Sequence, residues 1–169
     1  LTPPIPGLLQ TSDYAREIKR AAGIPPSDIE LRVMVNAGRR DVLTRHDNPV
    51  RYVALIGEAI FREVIGSPEI MREQFRFLIE TAERPNVTVQ TVPEGIGWHP
   101  GWAGSFVLYE FPDASPVVYF EHHSSGAFVS AEHDIREYRR AIERLRAVAR
   151  DPAASVEHIR GVMERERTT

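Results

Sequence analysis

The chain's 169 residues suffice for one domain with a sizeable core and fall short of two ordinary ones. Hydrophobic residues make up 42% and charged residues 27%, which argues against disorder, and a formal net charge of -3 gives no overall attraction to a phosphate backbone. The absence of cysteine excludes disulfides, thiolate metal sites and cysteine nucleophiles, and suits a reducing cytoplasm. No apolar run approaches a membrane span and no signal-peptide pattern opens the chain, so a soluble cytoplasmic protein is expected.

Leu1, rather than a methionine, begins the extended segment LTPPIPG, and the chain reads as a fragment of something longer. Thr11 or Ser12 can cap a first helix with Tyr14, Ile18 and Ala22 on one face and Gly23 as its stop. Pro25 and Pro26 lead into Ser27-Asp28-Ile29-Glu30, a capping-box pattern, and Leu31, Met34, Val35, Gly38 and Val42 continue at helical spacing. That second helix should end near His46, before the turn signal Asp47-Asn48-Pro49. Arg51 to Ile56 alternates as a strand, and Glu58 to Val64 reads as a short helix ending at Gly66. Ser67-Pro68 opens the next helix, whose buried stripe is Met71, Phe75, Leu78 and Ala82.

Val87 to Val92 is a second strand, which the intervening helices allow to lie parallel to the first. Phe106 to Phe111 and Pro116 to His122 are separated by the turn Pro112-Asp113-Ala114-Ser115, so they should form a hairpin, with Ala127 to Val129 as a brief edge strand. Ile135, Tyr138, Ile142, Leu145 and Ala149 mark one face of a long helix; Asp151-Pro152 ends it before a last helix. Its interleaved arginines and glutamates read as a solvated face with intrahelical pairs, not a nucleic-acid surface. The fold class expected is α+β: one domain with a small mixed, mostly antiparallel sheet of about four to five strands, packed with N-terminal, middle and C-terminal helices.

Between the second and third strands lies EGIGWHPGWAGS, which carries both tryptophans and His99 among breakers. Trp98 and Trp102 have two readings, as ligand anchors on a recognition loop or as plugs at the end of the core. The loop is no phosphate loop, since it lacks GxxxxGK[ST] and leads into a strand.

Five strings in order, IPGLLQTSDYA, EAIFREVIG, MREQFRFLIE, RPNVTVQTVP and GWHPGWAGSFVLYEFPDASPVVYFE, resemble one family over nearly the whole chain. It is the C-terminal domain of actinobacterial XRE-type helix-turn-helix regulators, catalogued as domain of unknown function 5753. The resemblance implies a ligand-binding effector domain, a DNA-binding domain preceding Leu1, and small partner proteins encoded beside the regulator. No established chemistry comes with it, and neither Gly126 to His133 nor the pair His122-His123 follows its pattern.

The candidate ligand-binding residues are Trp98, His99, Trp102, Glu110, Tyr119, Glu121, Glu58 and Arg62. Carboxylates beside apolar neighbours on strands are unusual, and Glu110 and Glu121 would meet near the tryptophan loop if their faces coincide. Taken singly, each is more simply read as pointing into solvent or pairing with Arg45, Arg51 or Arg62. Glu58 and Arg62, four apart, are expected to pair or to line a pocket floor. His99, His122, His123 and His133 with Glu121 invite a metal reading, but adjacent histidines on a strand point to opposite faces and no HExxH spacing exists, so no metal or other cofactor is expected. No Gly-x-Ser-x-Gly elbow supports a hydrolase.

Three functions compete. The leading one is an effector domain that senses a small molecule or binds a partner protein, touching DNA only through a separate helix-turn-helix domain. The alternative is a small enzyme using Glu110, Glu121 and His99 for acid–base chemistry on a polar metabolite. The third is a homodimerisation domain using the helices after Ala131.

Overall fold

The computed structural model describes residues 3–121 and 125–165, so the histidine pair His122-His123 lies outside the described residues. The chain begins as a strap rather than a helix. Ile5 and Leu9 are fully buried around a 3-10 turn at Gly7–Leu9, and the buried Gln74 holds the strap by donating to the Leu9 carbonyl at 2.6 Å and accepting from Thr11 N–H at 2.8 Å. Helix α1 (Ser12–Ala21) follows, capped by Thr11, whose hydroxyl accepts from Tyr14 N–H, and ends before Gly23 at φ +73°. Helix α2 (Pro26–Arg39) starts on the tolerated first-turn proline, and no side chain caps it. The expected capping box does not form: Ser27 is already inside the helix, where its hydroxyl bonds Asp28. The expected continuation to His46 is interrupted at Arg40, which separates α2 from the single turn α3 (Asp41–Thr44).

Strands β1 (Tyr52–Gly57) and β2 (Val87–Val92) pair in parallel, Ala54 opposite Val89 and Ile56 opposite Thr91. The crossover between them is a 3-10 turn at Glu58–Arg62 and helix α4 (Pro68–Ala82). Ser67 caps α4, and Met71, Phe75 and Leu78 form a fully buried stripe, as their spacing predicts. Val87, Val89, Ala54 and Ile56 share one face of the parallel pair. They join Phe61, Phe75 and Ile159 of the C-terminal helix α6 (Pro152–Arg165) in the main core.

The α+β class and the strand count agree with the sequence, but the strands divide between two sheets instead of forming one mixed sheet. Strands β3 (Val107–Tyr109), β4 (Val117–Glu121) and β5 (Gly126–Val129) make an antiparallel sheet of their own, in the order β3-β4-β5. The reason lies in the loop after β2. Gly97 and Gly104 take φ of +82° and +116°, conformations that turn the chain and that side chains other than glycine resist, so β3 does not return beside β2. Helix α5 (Glu132–Val148) then packs on β2, β4 and the loop, holding the two sheets together. No helix among the described residues is long and apolar enough to cross a membrane.

Candidate functional site

In the loop, residues Pro100–Ala103 wind into a 3-10 turn that rests on α5. His99 precedes it, its ring 6.0 Å from that of Trp102 and pressed by the Gly101 backbone, where an added Cβ would stand 3.0 Å from the imidazole. The Nδ1 atom of His99 is enclosed with no hydrogen-bond partner among the described residues. Trp98 and Trp102 are 75% and 70% exposed, so neither plugs the core. Exposing two indoles on a glycine-rich loop forfeits their burial, a cost that binding would offset.

Strand alternation decides which side of the antiparallel sheet faces the loop. Val118 is fully buried, and Phe106 and Phe120, on its side, hold their rings 4.8 and 5.2 Å from that of Tyr138 on α5. Together with Trp98, Pro100, Ala103 and Gly104 these rings wall an open groove of about 310 Å³. Asp134, Glu137 and Arg144 line it from α5. Glu137 is engaged by Arg140 at 2.6 Å, whereas Arg144 has no ion-pair partner among the described residues. The groove therefore combines aromatic walls with a free guanidinium and the half-buried carboxylate of Asp134.

Of the sequence candidates, only Trp98 lines this groove, with Trp102 and His99 in the same loop. Tyr119 sits on the opposite face of the sheet, stacked at 4.8 Å on Phe128 and covering Gly126, where any Cβ would stand 2.5 Å from its hydroxyl. Glu110 follows β3 on the α5 side and accepts from Arg139 at 2.8 Å, not from Arg45, Arg51 or Arg62. Glu121 ends β4, and its side chain lies outside the described residues. The pairing of Tyr109 with Val117 and Val107 with Tyr119 sets the backbone of residue 110 near the turn and that of residue 121 at the far end of the hairpin.

The expected Glu58–Arg62 pair is also absent, for a geometric reason. Their segment is 3-10, with three residues per turn, which rotates the fourth residue off the face of the first. Arg62 pairs instead with Glu94, and Glu58 turns inward. There the Arg150 Nε–H donates to Glu58 Oε1 at 2.6 Å, the Thr91 hydroxyl donates to the same oxygen at 3.2 Å, and His158 Nε2 stands 3.6 Å away. Ser155 completes the cluster, accepting from Thr91 N–H at 3.0 Å and donating to the Asp151 carbonyl at 2.8 Å. Burial works to raise the Glu58 carboxyl, but the Arg150 hydrogen bond, the neighbouring His158 and the Thr91 hydroxyl outweigh it and hold the group below the usual carboxylate range. Burial, with the charges of Arg150 and Arg165, pushes the His158 imidazole below its usual range despite Glu58. The hydrogen bonds from Arg150 to Glu58 and between Thr91 and Ser155 join the chain after α5 to the parallel sheet.

Sequence reasoning missed Phe106, Phe120, Tyr138, Asp134 and Arg144 as groove residues. Tyr138 was visible only as one member of a helical stripe, and Phe120 only as the alternate neighbour of Tyr119. The Glu58 partners, Arg150 and His158, carry no local signal, since nothing in spacing links positions so far apart.

An α+β fold with an open aromatic groove between a glycine-rich loop, an antiparallel sheet and a helix defines the class by architecture. The chain belongs to the family described as Domain of unknown function (DUF5753), whose model matches residues 3–161. No curated protein and no solved structure matches it.

Proposed function

We propose that this chain is the effector domain of an actinobacterial XRE-type helix-turn-helix regulator, and that the groove under Trp98 receives a small, flat, largely apolar molecule. The observation that carries this reading is the aromatic groove itself, with Trp98 exposed on its lining and Arg144 at its wall without an ion-pair partner among the described residues. Aromatic walls favour a planar body, and the guanidinium favours an anionic or hydrogen-bonding group at one end. DNA contact falls to a separate domain in this reading, as the net charge of -3 suggests, and the setting is cytoplasmic.

A ligand bridging Trp98 and Tyr138 would bind one arrangement of loop and α5 better than others, and only that difference in affinity can pass a signal onward. Glu110, one of the carboxylates that the acid–base enzyme reading would use, is tied to Arg139.

Both tryptophans of the chain lie in the loop, so intrinsic fluorescence reports directly on the site. A metabolite screen should find compounds that quench or shift this emission, and Tyr138→Ala should weaken their binding by about tenfold or more. If no compound binds while a small neighbour-encoded protein binds tightly, the domain is a protein-interaction module instead.

A further inference from the structure

A smaller cavity, of about 120 Å³, lies where the N-terminal strap, the joint between α2 and α3, and the end of α4 come together. It shares no lining residue with the aromatic groove. Phe77, Glu80, Thr81 and Arg84 reach it from α4 and the turn beyond, because positions i, i+3, i+4 and i+7 fall on one side of a helix. Leu8 of the strap and Leu43 of α3 complete its apolar wall.

Three groups on this cavity have donors to spare. Arg40, at the joint, is held in place: its guanidinium carbon stands 5.3 Å from the centroid of the Phe77 ring, Nη1 donates to the Gln10 carbonyl at 3.0 Å, and Nε reaches the Ala37 carbonyl at 3.5 Å. Its Nη2 has no partner among the described residues. Arg84 makes no ion pair and no side-chain hydrogen bond among the described residues. Thr81 is only 6% exposed, yet its hydroxyl also has no hydrogen-bond partner among them. Buried donors are normally satisfied, so a hydroxyl left over beside two guanidinium groups marks a place for an acceptor.

Size and charge narrow what that acceptor is. A cavity of about 150 Å³ holds benzene, so this one admits about six heavy atoms and excludes nucleotides and larger metabolites. Arg40 and Arg84 against Glu80 leave one positive charge over, which matches a monoanion better than the heavier charge of a phosphate. The leucines and Phe77 offer contact to an alkyl group, which an inorganic anion lacks.

We propose that this cavity binds a short aliphatic monocarboxylate. Its carboxylate accepts from Arg40 Nη2, Arg84 and the Thr81 hydroxyl, and its alkyl chain lies against Leu8, Leu43 and Phe77. Such a ligand joins the strap, the α2–α3 joint and α4 to one another. The site is independent of the groove and of the function proposed for it.

Titration calorimetry of the whole chain with butyrate tests this, with inorganic phosphate as the comparison. The expected result is a single site with a dissociation constant of about 1 mM or tighter, and phosphate at least about tenfold weaker. Tryptophan emission should stay unchanged, because both indoles lie in the groove loop. Arg84→Gln, at an exposed position, should leave the circular dichroism spectrum intact and weaken butyrate about tenfold. Thr81→Val removes an unpartnered hydroxyl, so the free protein should melt no lower than the wild type while butyrate binds about fivefold more weakly. No heat up to about 50 mM butyrate overturns the proposal, as does binding that neither substitution moves. Phosphate bound as tightly as butyrate overturns the assignment to a carboxylate, and a butyrate-dependent change in tryptophan emission would place the ligand in the groove instead.

Discussion

The two sheets differ in what covers them. The parallel pair is enclosed: β2 is buried along nearly its whole length, and α4 and α6 both pack on it. The antiparallel sheet is covered on one face only, and its other face leaves Val107, Tyr109 and Phe128 at 39%, 36% and 69% exposure. Parallel strands joined by a helical crossover are normally covered on both sides, whereas a hairpin sheet can stand half-open. Stability is thus concentrated around β1, β2, α4 and α6, and the half-open sheet and its loop contribute less to it.

The sharpest way to break this contrast is to disturb each side and compare. Phe75→Ala, in the enclosed core, should lower unfolding free energy by about 3 to 5 kcal/mol in urea titration, since a fully buried ring leaves a cavity. A smaller loss, of about 2 to 3 kcal/mol, is expected for Glu58→Gln, because the carboxylate is buried but its partner Arg150 stays 38% exposed and can reach water.

The same cluster predicts a pH dependence. Both Glu58 and His158 have folded-state pKa values below their unfolded ones, so the stability they contribute is present at neutral pH and is lost on acidification. The melting temperature should begin to fall below about pH 6.5, where the unfolded imidazole takes up a proton, and fall further through the carboxylate range. Glu58→Gln should flatten the lower, carboxylate part of that decline. A melting temperature unchanged between neutral and acid pH would show that the cluster does not clamp the sheet.

The smallest effect belongs to the loop. Trp98→Ala should change stability by less than about 0.5 kcal/mol, since the indole is 75% exposed, while abolishing much of the ligand-dependent fluorescence change. A loss comparable to that of Phe75→Ala would erase the distinction between the two regions.

Local signals carried the elements well. Helix α4, its Ser67 cap and its buried stripe, the parallel relation of β1 to β2, and the hairpin of β3 with β4 were all legible, because each rests on periodicity or on turn residues close in the chain. The stripe of α2 was equally legible as a pattern, but periodicity marks an apolar face without saying what lies against it, and here the buried side is Ile29 and Val33 instead.

By itself, then, the sequence determined the α+β class, the order of elements, the family, and the tryptophan loop as an unusual segment. Only the tertiary structure decided that the strands form two sheets, that Glu58 belongs to Arg150 and His158, that Glu110 pairs with Arg139, and that Phe106, Phe120 and Tyr138 wall the groove. The physical reason is range. Propensity, capping and periodicity act within a few turns of chain, whereas strand partners, ion pairs and grooves depend on how distant segments are brought together, and that is set by the packing of the whole core.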